Sequence, residues 1–134
     1  MTATDKEHSP ASDSVVSHTD PTDWDEMVAR LGGQPFQAWA WGELKARFGW
    51  EPFRLSAADG SSAAQLLIRR YRGLAVAYVP RGPVVPIGGS VDPRLIETIV
   101  SLARSRRAAF VRFEPGVLES DPRAADLATT LRAA

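Results

Sequence analysis

The chain has 134 residues, no cysteine and no net formal charge, with 16 basic residues against 16 acidic ones. That length supports one domain with a modest core, and the lack of cysteine excludes a disulfide framework, a thiolate metal site and a thiol nucleophile. No apolar run is long enough to span a bilayer, and the start lacks the basic-then-apolar pattern of a secretory signal, so a cytoplasmic protein without a transmembrane segment is expected.

Residues 1–22 are rich in Ser, Thr, Asp and Pro and carry almost no apolar periodicity, which predicts a disordered tail. Both histidines, His8 and His18, fall in it, so a histidine triad or histidine metal site is not expected in the folded body. Asp5, Glu7, Asp13 and Asp20 against Lys6 leave this tail at −3 and the remainder at +3. A body so mildly basic suits an anionic small molecule and does not by itself indicate DNA.

From Asp23 the pattern changes. Trp24, Met27, Val28 and Leu31 keep helical spacing and Gly32-Gly33 ends the run. A second helix is predicted over about 37–47, with Trp41, Leu44 and Phe48 on one face and Gly49 as its stop. Trp50–Ser56 reads as a strand and "AADGSS" as a turn. "AAQLLIRRYR" and "LAVAYVP" are two further strands around Gly73. "RGPVVPIGGSVDP" is a loop that closes on Asp92, an N-cap before Pro93, for a helix to about Arg106. "AAFVRFEP" is predicted as a buried strand, and Asp121-Pro122 opens a last helix. The order α-α-β-β-β-α-β-α predicts an α/β fold with a mixed sheet.

Several side chains can carry chemistry. Trp39 and Trp41 cannot share a helix face, so one can enter the core while the other borders a cleft. Lys45 follows Trp41 by one turn; it is either an ordinary exposed lysine or an ammonium presented to a phosphate. It is also the one lysine of the body, where every other basic residue is arginine. Arg69, Arg70 and Arg72 beside Tyr71 form either an anion-binding rim or a sheet edge guarded by charge. Arg81 sits in a stiff turn between Pro80 and Pro83, where Gly82 permits close approach. Arg112 and Glu114 share a strand face, as a plain ion pair or as a device that orients a substrate amine. The glycine pattern of a phosphate loop is missing, which argues against a CoA-dependent acetyltransferase.

Taken in order, "FQAWAWGELKARFGWEPFRL", "AAQLLIRRYRGLAVAYVPRGPVV" and "AAFVRFEPGV" resemble the Fem family of peptidoglycan interpeptide-bridge aminoacyltransferases (FemA, FemB and FemX types). The resemblance covers about 35–134 and rests on W-x-x-x-K followed by GWEP together with Y-x-P-R-G-P-V. It implies a GNAT-like fold and transfer of an amino acid from aminoacyl-tRNA to a stem-peptide amine of a nucleotide- or lipid-linked cell-wall precursor, near the membrane surface in the lipid-linked case. No cofactor or metal is implied. Lys45 matches the position that contacts the precursor's diphosphate, and Glu114 matches the acid of the motif considered for acid–base work. Trp41, Trp39, Arg81, Gly82 and Arg112 would complete the substrate site. An aromatic usual in the family before the "RFEP" motif is replaced by Ala109. Complete members are far longer, so residues 23–134 are expected to be the front of a first GNAT-like domain. Without the part that receives tRNA such a chain should not catalyse transfer alone, which leaves a non-catalytic binding module as the alternative.

Overall fold

A computed structural model describes residues 15–117 and 120–133. A five-stranded sheet runs in the order β1 (Val15–Ser17), β2 (Trp50–Ala57), β3 (Ala63–Tyr71), β4 (Leu74–Pro80) and β5 (Ala108–Glu114). The first four strands pair antiparallel, and β5 lies parallel to β4 after a crossover through helix α3 (Pro93–Ser105). The mixed α/β sheet expected from the sequence is therefore present. Helices α1 (Pro21–Arg30) and α2 (Trp39–Ala46) precede β2, and α4 (Arg123–Ala133) follows β5.

The ends of these elements follow from their caps. Asp20 accepts from the Thr22 and Asp23 amides at the start of α1, and Asp92 accepts from the Arg94 amide at the start of α3. Before α4, Asp121 holds the Arg123 guanidinium through both carboxylate oxygens, and that contact keeps the Asp121 carboxyl down at about 2. Arg123 also donates to the Val85 carbonyl, tying α4 to the loop after β4.

Register divides the sheet residues between two faces. Leu55, Ala64, Leu66, Ile68, Ala75, Ala77 and Val79 point one way and pack with Leu95, Ile96 and Ile99 of α3 and Leu127 of α4. On the other face the register aligns Trp50, Arg69 and Val76 in one row and Pro52, Leu67, Tyr78 and Arg112 in the next. Helix α2 covers β2 and β3 on that side, and α1 adds a second small core of Trp24, Met27, Val28, Leu31, Ala63 and Val84. The strips of β4 and β5 beyond α2 stay open.

Four expectations are corrected. The tail does not extend to residue 22: Val15–Ser17 form β1 against Leu55–Ala57, and α1 begins at Pro21, while residues 1–14 lie outside the described residues. His18 is half-buried in the body, with its ring nitrogen 2.7 Å from Ser56 Oγ and its ring edge-on to Trp24. In α2 the residue that faces the sheet is Gly42, and Leu44 and Phe48 are exposed. Finally, β5 is one of the two edge strands of the described sheet, with Phe110 56% exposed, while the arginines of β3 sit on an interior strand.

Candidate functional site

A glycine faces the sheet from α2 because the space beneath it is filled by polar groups. Arg54 of β2 is buried at 6% exposure and donates through Nε to Gln65 Oε1 at 2.8 Å. Its other end donates to the Trp39 carbonyl at 2.9 Å and to Glu43 at 3.1 Å. The guanidinium stacks 3.6 Å over the Trp39 ring. Gln65 completes the clamp by donating to the Phe36 and Ala38 carbonyls. This network seats α2 on β2 and β3.

Gln37 fixes the chain just ahead of α2. Pairing of β3 with β4 stops at Leu67–Tyr78. Beyond that point the fully buried Gln37 amide sits between the strands, accepting from Gln65 N and donating to the Gln65 and Pro80 carbonyls. Gly82 makes room for it: a Cβ there would meet Val79 at 2.8 Å and Gln37 Nε2 at 2.9 Å. Next to it Arg81 holds a left-handed backbone, φ 51°, which costs a non-glycine residue about 1 kcal/mol.

These elements enclose a cleft of about 140 Å³ lined by Phe36, Trp41, Lys45, Tyr78, Pro80, Arg81 and Glu114. The Lys45 ammonium lies between two indoles, 5.7 Å from the Trp41 ring and 5.6 Å from the Trp50 ring. Trp41 itself stands edge-on to Phe36, with ring centroids 4.8 Å apart. Across the cleft, Glu114 accepts from the Tyr78 hydroxyl at 2.9 Å. Arg81 and Arg112 approach the two oxygens of Glu114 at 3.9 and 3.7 Å. Burial, then the bond to Glu114 and its charge, push the Tyr78 hydroxyl above its usual range, so it stays a donor.

Of the residues singled out in the sequence, Lys45, Trp41, Arg81 and Glu114 line this cleft, and Arg112 borders it. Trp39 does not reach it, because it is committed to Arg54, and Gly82 contributes space for Gln37. Trp41 is a half-buried wall of the cleft, Trp50 is half-buried beside Lys45 without lining it, and the tryptophan that fills the core is Trp24. Phe36 and Tyr78 were not anticipated. Tyr78 is two residues before Pro80 in the strand, and its alternation with the buried Val79 is the signal that would have placed it on the open face. Arg69 and Arg70 lie outside the cleft. Among the described residues no cluster of acids or histidines suits a metal ion, and no helix is long and apolar enough to cross a membrane.

The chemistry of the cleft is that of a small anion site with one carboxylate: three cationic side chains, a phenol and one acid around an aromatic wall. The chain has this site on a known fold. Its structure is similar to the crystal structure of FemX, with a TM-score of 0.70 and 22% sequence identity over 89% of this chain. The fold is thus Fem-like, of the GNAT type, and the chain spans 31% of the length of that protein. No family model and no curated protein matches the sequence.

Proposed function

We propose that the cleft binds the acceptor of a peptidoglycan-bridge aminoacyl transfer: a cell-wall precursor that bears a diphosphate and a stem-peptide amine. The observation that carries the reading is the single cleft in which Lys45 and Arg81 face Glu114, on a fold shared with FemX. Lys45 and Arg81 would hold the phosphates, with Arg112 beside them. Glu114, kept in place by Tyr78, would accept hydrogen bonds from the stem-peptide ammonium and take its proton as the amine is acylated. In that reaction the amine nitrogen attacks the carbonyl of an aminoacyl-tRNA ester, the C–O bond breaks, and an amide forms as the ribose hydroxyl leaves. An ester is already activated, so holding donor and acceptor together supplies much of the rate. The reading puts the chain in the cytoplasm, where aminoacyl-tRNA is found, and assigns the described residues to the acceptor side.

Calorimetric titration with a nucleotide-linked muropeptide tests it. Lys45→Ala should weaken binding by about 10- to 100-fold, the worth of a hydrogen bond to a charged group. An unchanged affinity in that variant would sink the role given to Lys45.

A further inference from the structure

The arginines of the β3–β4 hairpin lie outside the cleft, and β3 is an interior strand, so they do not guard a sheet edge. The register gathers further arginines around them. At the hairpin tip Arg70 pairs with Ala75 and Tyr71 with Leu74, and Arg69 pairs with Trp50, just after Arg47, Phe48 and Gly49 lead out of α2. Arg69 Nε lies against Gly49, and the Arg107 carbonyl accepts from the Ala75 amide where β5 begins. Arg47, Arg69, Arg70, Arg72 and Arg107 therefore crowd one end of the sheet, all of them exposed. Among the described residues none of the five pairs with a carboxylate, and Glu51, the acid at this end, is taken by Arg106. Arg72 and Arg107 hold left-handed backbone, φ 51° and 61°, where glycine would sit without strain. Among these cations stand three large side chains with apolar bodies: Phe48 is 62% exposed, Tyr71 65% and Leu74 60%.

We infer that this end of the sheet is a docking surface for an anionic phospholipid bilayer. The charges are complementary: guanidinium groups pair bidentately with lipid phosphates, and each basic residue adds to the attraction of an anionic leaflet. Charge alone would not call for Phe48 and Leu74 in water. Their side chains gain where an apolar phase lies just behind a layer of phosphates, with the Tyr71 ring at the level of the headgroups. Leucine has no π face to offer a base, so the patch suits a bilayer better than a nucleic acid. Leu74 and Pro80 close opposite ends of β4, about 20 Å apart at about 3.3 Å per residue, so the docked face leaves the anion cleft free. The inference stands apart from the acceptor reading and does not need it.

Vesicle flotation with the 134-residue chain tests it, comparing vesicles of mixed phosphatidylglycerol and phosphatidylcholine with vesicles of phosphatidylcholine alone. The chain should float with the anionic vesicles only, and raising the salt to about 0.5 M should weaken binding about tenfold. Arg70→Gln combined with Arg72→Gln should weaken it tenfold or more, at about fivefold per arginine. Leu74→Ser should weaken it about tenfold, the worth of one buried apolar side chain. Both variants should keep the wild-type affinity for pyrophosphate, which reports an intact cleft at the far end of β4. No binding to either vesicle, or equal binding to both, would overturn the inference. Anionic binding that Leu74→Ser leaves unchanged would overturn the choice of a bilayer over any other polyanion. RNA retained on a filter through Arg70 and Arg72, with vesicles unbound, would overturn the inference in favour of a nucleic acid.

Discussion

Arg54→Met should unfold this protein at a markedly lower temperature, and the structure says which of its contacts matters. The Glu43 end is the minor one: the Glu43 side chain is 57% exposed, and an ion pair open to water is worth about 0–1 kcal/mol. The buried end is different. Gln65 is fully buried, and among the described residues its Oε1 takes its hydrogen bond from Arg54. Losing that donor leaves a buried acceptor unpaired, at about 1–3 kcal/mol. Loss of the guanidinium from its 3.6 Å stack on Trp39 adds about 1–2 kcal/mol. The sum is about 3 kcal/mol, or roughly 10 °C in melting temperature for a domain of this size. Thermal and urea denaturation followed by circular dichroism measure it. Glu43→Gln should cost under about 1 kcal/mol. Arg54→Met combined with Gln65→Leu should recover part of the loss, because both partners are then removed. A single Arg54→Met variant within about 1 kcal/mol of wild type, or one no worse than Glu43→Gln, would refute the assignment of the stability to the buried end.

Gly42→Ala should destabilise by about 1–3 kcal/mol despite the better helix propensity of alanine, since the added methyl would press on Gln65 Oε1 and the Arg54 guanidinium; a chemical-denaturation midpoint at or above wild type would contradict this. For His18, burial lowers the pKa below its usual 6.5, with Asp23 opposing. The fold therefore prefers the neutral ring, and stability should be full above about pH 6.5 and fall as pH drops through the folded-state value. His18→Gln should remove that slope between pH 7 and 5 in melting experiments.

The sequence pattern gave most elements because their signals are local. Asp92-Pro93 and Gly32-Gly33 bracket helices through capping and backbone freedom alone, and the apolar runs of β3 and β4 mark strands. The misreadings share a cause: each depends on a partner distant in sequence. Val15–Ser17 offers only two β-branched residues inside a polar stretch, too short a signal to read as a strand, and becomes β1 because β2 offers it an edge and His18 reaches Ser56. "AAFVRFEP" is as apolar as a buried strand, but Phe110 lies on the face of Tyr78 and Arg112 that α2 leaves uncovered, so it stays exposed. The helical face of Trp41, Leu44 and Phe48 failed because burial in α2 is decided by Arg54 and Gln65, eleven residues apart on adjoining strands. In the site, Lys45, Arg81 and Glu114 were legible as residues with unusual neighbours. That they share one cleft depends on the parallel pairing of β4 with β5, which sets Pro80 beside Glu114.

The same geometry explains why this helix carries so small a residue at its center. With Gly42 against Gln65 and Arg54, α2 lies close to the sheet, and Trp41 and Lys45 project past its rim to the level of Trp50 and Tyr78. One residue of rotation about the helix axis is about 100°, enough to carry Lys45 away from both indoles. A larger side chain at position 42 would push aside the ends of Gln65 and Arg54 or lift the helix, and a lifted helix would draw the ammonium away from Arg81 and Glu114. The polar clamp beneath α2 therefore acts on the cleft as well as on stability. Gly42→Ala should weaken pyrophosphate binding even at a temperature where the variant is fully folded, although no atom of Gly42 lines the cleft.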